Sequence, residues 1–181
     1  MKVTKYSEPW DWFEVHSFFS TEEEFNKIDE FSKNISIYDK RSSKVLYRED
    51  NEEVYHMLDG RMKVLCSKIG FTITDNMDLY VQFDNIKPGW AYSKVHSDHN
   101  KKFVTFVMAV SEEGTGTHLY SKDRTTYIKT TDWIQNGGNG FIRQDHSWHD
   151  FDAKGLTNDR RTVICMIAEK GWDDEYRYGT K

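Results

Sequence analysis

Two hydrophobic periods run along this chain, and they change over near residue 70. In the first part, apolar positions recur at three- and four-residue spacing. Phe25, Ile28 and Phe31 follow the segment Ser20-Thr21-Glu22-Glu23-Glu24, where Ser20 with Glu23 and Thr21 with Glu24 form two overlapping capping boxes. That pattern predicts a helix beginning there. A second helix is predicted over about residues 51–68. Val54, Met57, Leu58, Met62, Leu65 and Ile69 make its apolar stripe, and Gly70 suits its C-terminal stop. Residues 38–43, Tyr-Asp-Lys-Arg-Ser-Ser, read as a charged connector between the helices. The aromatic segment 10–15 reads as a strand or a packed arm.

After residue 70 the period falls toward two, the signature of strands with alternating faces. Strands are predicted over residues 71–74, 78–83, 91–96, 102–110, 115–120, 126–128, 140–143 and 162–168. Turn-forming residues separate them: Asp75-Asn76, Lys87-Pro88-Gly89, Glu112-Glu113-Gly114, Asn136-Gly137-Gly138-Asn139 and Lys154-Gly155. Short strands following two helices predict a mostly β fold with flanking helices, a sandwich or jelly roll with the helices packed on one side. No repeat, low-complexity tract or linker interrupts the chain. One domain over 1–181 is therefore expected, with helical support over 1–70, a β core over 71–170 and a tail over 171–181.

Composition sharpens this picture. Hydrophobic residues are 37% of the 181-residue chain and aromatic ones 15%, a balance that suits pleated sheets better than helices. The longest apolar stretches are far shorter than the roughly 20 residues a membrane helix needs, so no spanning segment is expected. The first eight residues have no apolar run behind their lysines, and no secretory signal is expected. A net charge of −5 argues against a nucleic-acid or anionic-membrane footprint. Cys66 and Cys165 both sit among apolar neighbours and read as buried free thiols in a reducing, cytoplasmic setting.

The candidate chemistry lies in the β part. His96 and Asp98 are two apart in Val95-His96-Ser97-Asp98-His99, so on an extended segment they point to one side. A third ligand has to come from another segment, and Gln144-Asp145-His146-Ser147-Trp148-His149-Asp150-Phe151 offers His146 and His149. Two histidines and a carboxylate on one face suit a non-haem Fe(II) with open positions on the other. Downstream, Arg160 and Thr162 share a face of the strand that opens with Arg160-Arg161-Thr162-Val163. A guanidinium beside a hydroxyl can grip a carboxylate.

With these residues the sequence resembles the 2-oxoglutarate- and Fe(II)-dependent oxygenases, most closely small prolyl-hydroxylase-like members of bacteria and bacteriophages. The matching elements are His96-Ser97-Asp98, the segment 114–120 (Gly-Thr-Gly-Thr-His-Leu-Tyr), Gly140-Phe141-Ile142-Arg143 leading to Ser147-Trp148-His149-Asp150-Phe151, and Arg160-Arg161-Thr162-Val163. Together they cover about half the chain. The resemblance implies a double-stranded β-helix, or jelly roll, braced by N-terminal helices. It implies His96, Asp98 and His149 as iron ligands, His149 being preferred to His146 because it follows Trp148. It implies Arg160 with Thr162 as the partner of the 2-oxoglutarate carboxylate, with Arg161 as the rival, and Tyr80 and Tyr92 as further candidates for holding the cosubstrate.

The implied reaction consumes 2-oxoglutarate and O2, releases succinate and CO2, and hydroxylates a substrate. Halogenating relatives lack the carboxylate that Asp98 supplies. The resemblance associates the substrate with prolyl or other protein side chains, and small molecules stay open. Two other classes compete: a cupin-like metal-dependent isomerase or epimerase, and a non-catalytic jelly-roll binding module. The arginine after Trp-His speaks against the first, and the complete His-Asp-His set against the second. His99 is read as solvent-facing, His118 as a packing residue, and residues 40–44 with Arg48 as a solvated connector or a substrate-side loop.

Overall fold

The computed structural model describes residues 1–35, 41–90 and 94–172. The chain opens with a hairpin of β1 (Lys2–Tyr6) and β2 (Trp12–His16). Helix α1 (Glu22–Lys33) follows, and the Thr21/Glu24 capping box is the one that forms. The Thr21 side chain accepts from the Glu24 N–H, and the Glu24 carboxylate accepts from the Thr21 N–H at 3.2 Å. Strand β3 (Arg41–Leu46) leads to α2 (Glu52–Ile69), which Gly70 ends at φ 80°. The remaining strands are β4 (Met77–Ile86), β5 (Lys102–Ala109), β6 (His118–Tyr120), β7 (Tyr127–Thr130), β8 (Gly137–Ile142), β9 (His149–Asp150) and β10 (Arg160–Glu169).

These strands make two sheets. The larger runs β1-β2-β8-β5-β10-β4-β3 and the smaller β7-β6-β9, with antiparallel pairing between neighbouring strands. Two facing sheets with this antiparallel order make a jelly-roll-like architecture. Alternation along β10 assigns its two faces. Val163, Cys165 and Ile167 enter a buried cluster with Val81, Phe83, Val104 and Phe106 of the neighbouring strands and Ile28, Leu58 and Leu65 of the helices. Arg160, Ile164 and Met166 line a cavity on the opposite side, together with residues of the smaller sheet's end of the molecule. No helix among the described residues is long and apolar enough to cross a membrane.

The structure revises several expected elements. Residues 71–74 are not a strand, and the strand expected at 115–120 is limited to His118–Tyr120. Three strands lie outside every expected range: β1, β3 and the two-residue β9. β1 and β3 are edge strands whose residues are mostly exposed or half-buried, so neither shows a hydrophobic alternation. The glycine-rich stretch expected as a turn is the start of β8. It lies between β2 and β5 so closely that a Cβ at Gly138 or Gly140 would collide with the carbonyl oxygen of Val107 or Thr105. Glycine here permits close packing of backbones rather than a reversal. Both cysteines are free and buried, as expected.

Candidate metal centre and anion pocket

His96, Asp98 and His149 meet at one end of the cavity. One possible ligand atom from each lies within 4.8 Å of the others. His96 does not reach this position as part of a regular strand. An isolated antiparallel bridge pairs it with His149: His96 N–H donates to His149 O at 3.0 Å and His149 N–H donates to His96 O at 2.8 Å. Two reciprocal backbone bonds thus clamp the two imidazole-bearing residues together, with ring centroids 4.4 Å apart.

The tautomers follow from the partners. His149 Nδ1 lies 2.9 Å from Ser147 O, and His96 Nδ1 lies 3.2 Å from Lys94 O. A carbonyl oxygen only accepts, so each Nδ1 carries the proton and each Nε2 is the lone-pair nitrogen. Burial pushes the His149 imidazolium pKa down to about 4, against the opposing pull of Asp98, so this ring is neutral near pH 7. Asp98 is buried too, which by itself would raise its carboxyl. Lys102, His149 and the Thr105 hydroxyl outweigh that and hold it below the ordinary value. Thr105 Oγ1 donates to Asp98 Oδ2 at 2.5 Å, and Lys102 Nζ donates to Oδ1 at 3.2 Å. Two imidazole nitrogens and one ionised carboxylate are a donor set that fits a divalent transition metal.

The other end of the cavity carries Arg160. It is 2% exposed, and its Nε donates to Thr115 O at 2.8 Å. Its guanidinium stacks over Trp133 and Phe151 at 5.0 and 4.9 Å from their centroids. Burial lowers its pKa to about 10, which leaves it charged at neutral pH. Among the described residues it forms no ion pair, whereas the nearby Asp84 is engaged by Arg41 at 2.7 Å. Thr162 adds a second unsatisfied group: its Oγ1 is buried and has no hydrogen-bond partner among the described residues. A buried cation without a counter-ion beside an orphaned hydroxyl fits a ligand carboxylate. The cavity measures about 210 Å³, a volume for a small molecule.

Neighbouring Arg161 points the other way. Its Nη1 donates to Asp29 Oδ1, Asp29 O and Ser32 Oγ of α1 at 2.5, 3.2 and 2.5 Å. It belongs to the contact between β10 and α1 and not to the cavity. Tyr80 also lies outside this cavity. Its hydroxyl donates to Glu169 O at 3.1 Å, and its ring meets Trp172 in an adjacent groove. Tyr92 lies outside the described residues. His146 occupies the turn before β9, away from the His96–His149 bridge. His118 contacts Thr130 and Asp152 on the smaller sheet.

Sequence reasoning did not single out Asp84, Lys102 or Thr105, and offered Arg41 only within residues 40–44, as a connector or a substrate-side loop; all four line the cavity. Thr105 carries a readable signal, since it is the one polar residue in the apolar run of 103–109; Asp84 does not, because it shares its face of β4 with Asp78, Tyr80 and Gln82 and so reads as part of a solvent-facing polar side. Arg41 carries none, because it sits in a polar segment whose strand character comes only from pairing with β4.

No protein-family model matches the chain, and no curated protein matches it in sequence. Solved structures do match. A prolyl-4-hydroxylase of Pseudomonas putida aligns with TM-score 0.63 at 10% identity, covering 88% of this chain and 92% of that one. The viral collagen prolyl hydroxylase of Paramecium Bursaria Chlorella virus-1, solved as a 2OG complex, aligns with TM-score 0.61 at 13% identity, covering 87% and 95%. A Trichoplax adhaerens prolyl hydroxylase, in complex with a hypoxia inducible factor peptide fragment, aligns with TM-score 0.63 at 12% identity, covering 94% and 87%. At such identities the likeness establishes the fold: this chain has the jelly-roll-like fold of these oxygenases.

Proposed function

We propose that this protein is an Fe(II)- and 2-oxoglutarate-dependent oxygenase that hydroxylates its substrate. One observation carries the reading: a His-Asp-His cluster and a buried arginine with no ion pair among the described residues share a single small cavity. The neighbouring structures support it, since they include 2-oxoglutarate complexes of the same fold. An isomerase or a binding module built on this fold would have no use for a desolvated guanidinium opposite the metal ligands.

In this reading His96, Asp98 and His149 hold the iron. The Lys94 and Ser147 carbonyls fix the two imidazole tautomers, and Thr105 and Lys102 fix the Asp98 carboxylate. Arg160 binds the far carboxylate of 2-oxoglutarate, and the Thr162 hydroxyl donates to the same group. Trp133 and Phe151 keep water from the guanidinium, which strengthens its attraction for a carboxylate. Bound iron with 2-oxoglutarate and O2 supplies the oxidation; the chain supplies position and exclusion of water. The substrate is a peptide or protein side chain, as in the peptide-bound neighbour, or a small molecule. We further read the chain as one domain in which α1 and α2 brace the larger sheet.

The test is anaerobic addition of Fe(II) and then 2-oxoglutarate, followed by visible absorption. A weak metal-to-ligand band that forms with wild type and is lost in His149→Ala is expected. Verified iron loading with no band on adding 2-oxoglutarate would exclude the oxygenase reading.

A further inference from the structure

A second cavity, of about 450 Å³, adjoins the metal cavity and shares Gln82, Lys102 and Met166 with it. Its walls are of two kinds. Tyr47, Tyr80 and Trp172 supply aromatic surface, and His99, Lys101 and Lys102 supply cationic or protonatable nitrogen. No carboxylate residue lines it among the described residues. This is not a reflection of overall charge, because the chain carries a net −5. Lys102 stands at the junction: its Nζ donates to Asp98 Oδ1 at 3.2 Å and lies 5.4 Å from the Trp172 ring centroid. Tyr80 and Trp172 meet edge to face, with centroids 5.4 Å apart.

Resting on the oxygenase reading, we propose that this groove is the substrate site and that the substrate is a small organic acid with an aromatic or apolar body. The acid group pairs with Lys101 and accepts from an N–H of Lys102 that its bond to Asp98 does not use, and the body lies against Tyr80 and Trp172. The volume is that of a small-molecule site. An amine would meet Lys101 with no carboxylate lining the groove among the described residues, since Asp98 is taken up by Lys102, and like charges at close quarters disfavour binding. Sharing Lys102 and Met166 with the inner cavity places the bound molecule next to the His96–Asp98–His149 end.

The test compares two probes with the same body and opposite charge, 4-phenylbutyrate and 4-phenylbutylamine. Both are titrated by NMR into the full chain loaded with Zn(II), which is redox-inert, and saturated with 2-oxoglutarate. The acid is expected to bind at least tenfold tighter than the amine. Lys101→Glu is expected to weaken the acid at least threefold while 2-oxoglutarate still binds, and Trp172→Ala to weaken both probes. Equal or tighter binding of the amine, indifference of the acid to Lys101→Glu, or displacement of 2-oxoglutarate by the acid would overturn the proposal. The same titration on metal-free protein reads the groove independently. Acid binding there, with no 2-oxoglutarate binding by the metal-loaded chain, would remove the oxygenase reading and leave an acid-binding groove.

Discussion

Arg160 and Arg161 are adjacent on β10, carry the same charge and are both largely shielded from water, yet they have opposite surroundings. Arg161 meets Asp29 and Ser32 of α1 and is satisfied within the fold. Arg160 meets two aromatic rings and one carbonyl, and forms no ion pair among the described residues. Strand alternation alone separates them: one residue of register decides whether a guanidinium holds a helix or faces a cavity. A satisfied charge belongs to the architecture, whereas a buried charge with no ion-pair partner among the described residues is a group that a ligand carboxylate could complete.

The contrast can be broken most forcefully by ligand-induced stabilisation. With metal present and 2-oxoglutarate at roughly 100 times its Kd, wild type should gain about 2.7 kcal/mol in urea unfolding. Arg160→Met should lose that gain, while its ligand-free stability changes by less than about 1 kcal/mol, since no buried ion pair is broken. Arg161→Met should do the reverse. It should lower ligand-free stability by about 1–3 kcal/mol, through lost charge-assisted hydrogen bonds, and keep the ligand-induced gain.

Thr162→Val probes the same face more gently. Its hydroxyl has no hydrogen-bond partner among the described residues, so ligand-free stability should hold or rise slightly. The 2-oxoglutarate affinity should fall by about 0.5–1.5 kcal/mol, the worth of one hydrogen bond, measured by calorimetric titration.

The smallest effect is a pH dependence on the Arg161 side. Burial alone would raise the Asp29 carboxyl, but Lys33 and Arg161 hold it below its ordinary 3.8. A depressed carboxyl stabilises the fold above its unfolded value and loses that contribution as pH falls through its folded value. The stability difference between wild type and Asp29→Asn should therefore be flat near neutrality and shrink on acidification below about pH 4. A difference that grew on acidification would contradict the depressed carboxyl.

The sequence made much of this legible, for physical reasons that can be named. The helices announced themselves through capping and spacing: Thr21 with Glu24, and Gly70 at the end of α2. The two-residue spacing of His96 and Asp98, and His149 after Trp148, pointed to side chains that the structure brings within 4.8 Å. The Arg160/Arg161 ambiguity persisted because sequence gives the parity of a strand but not which face meets the helices. Contacts with Asp29 and Phe151, far apart in the chain, show which of the two faces the cavity. β3 was illegible because an edge strand of Arg, Ser, Ser and Lys has no buried alternation, so Arg41 was read only as part of a connector or substrate-side loop and not as a strand residue facing the cavity. β8 was misread because Gly-Gly-Asn-Gly signals a turn locally, while here it serves close approach of three backbones.

The most direct test of the central claim is calorimetric titration of 2-oxoglutarate into the Zn(II)-loaded wild type, Arg160→Met and Arg161→Met. The expected result is binding to wild type and Arg161→Met within about twofold of each other, and a loss of about 100-fold or more in Arg160→Met, the worth of a buried charge-assisted pair. Loss of binding in Arg161→Met with retention in Arg160→Met would contradict the assignment of the two faces of β10.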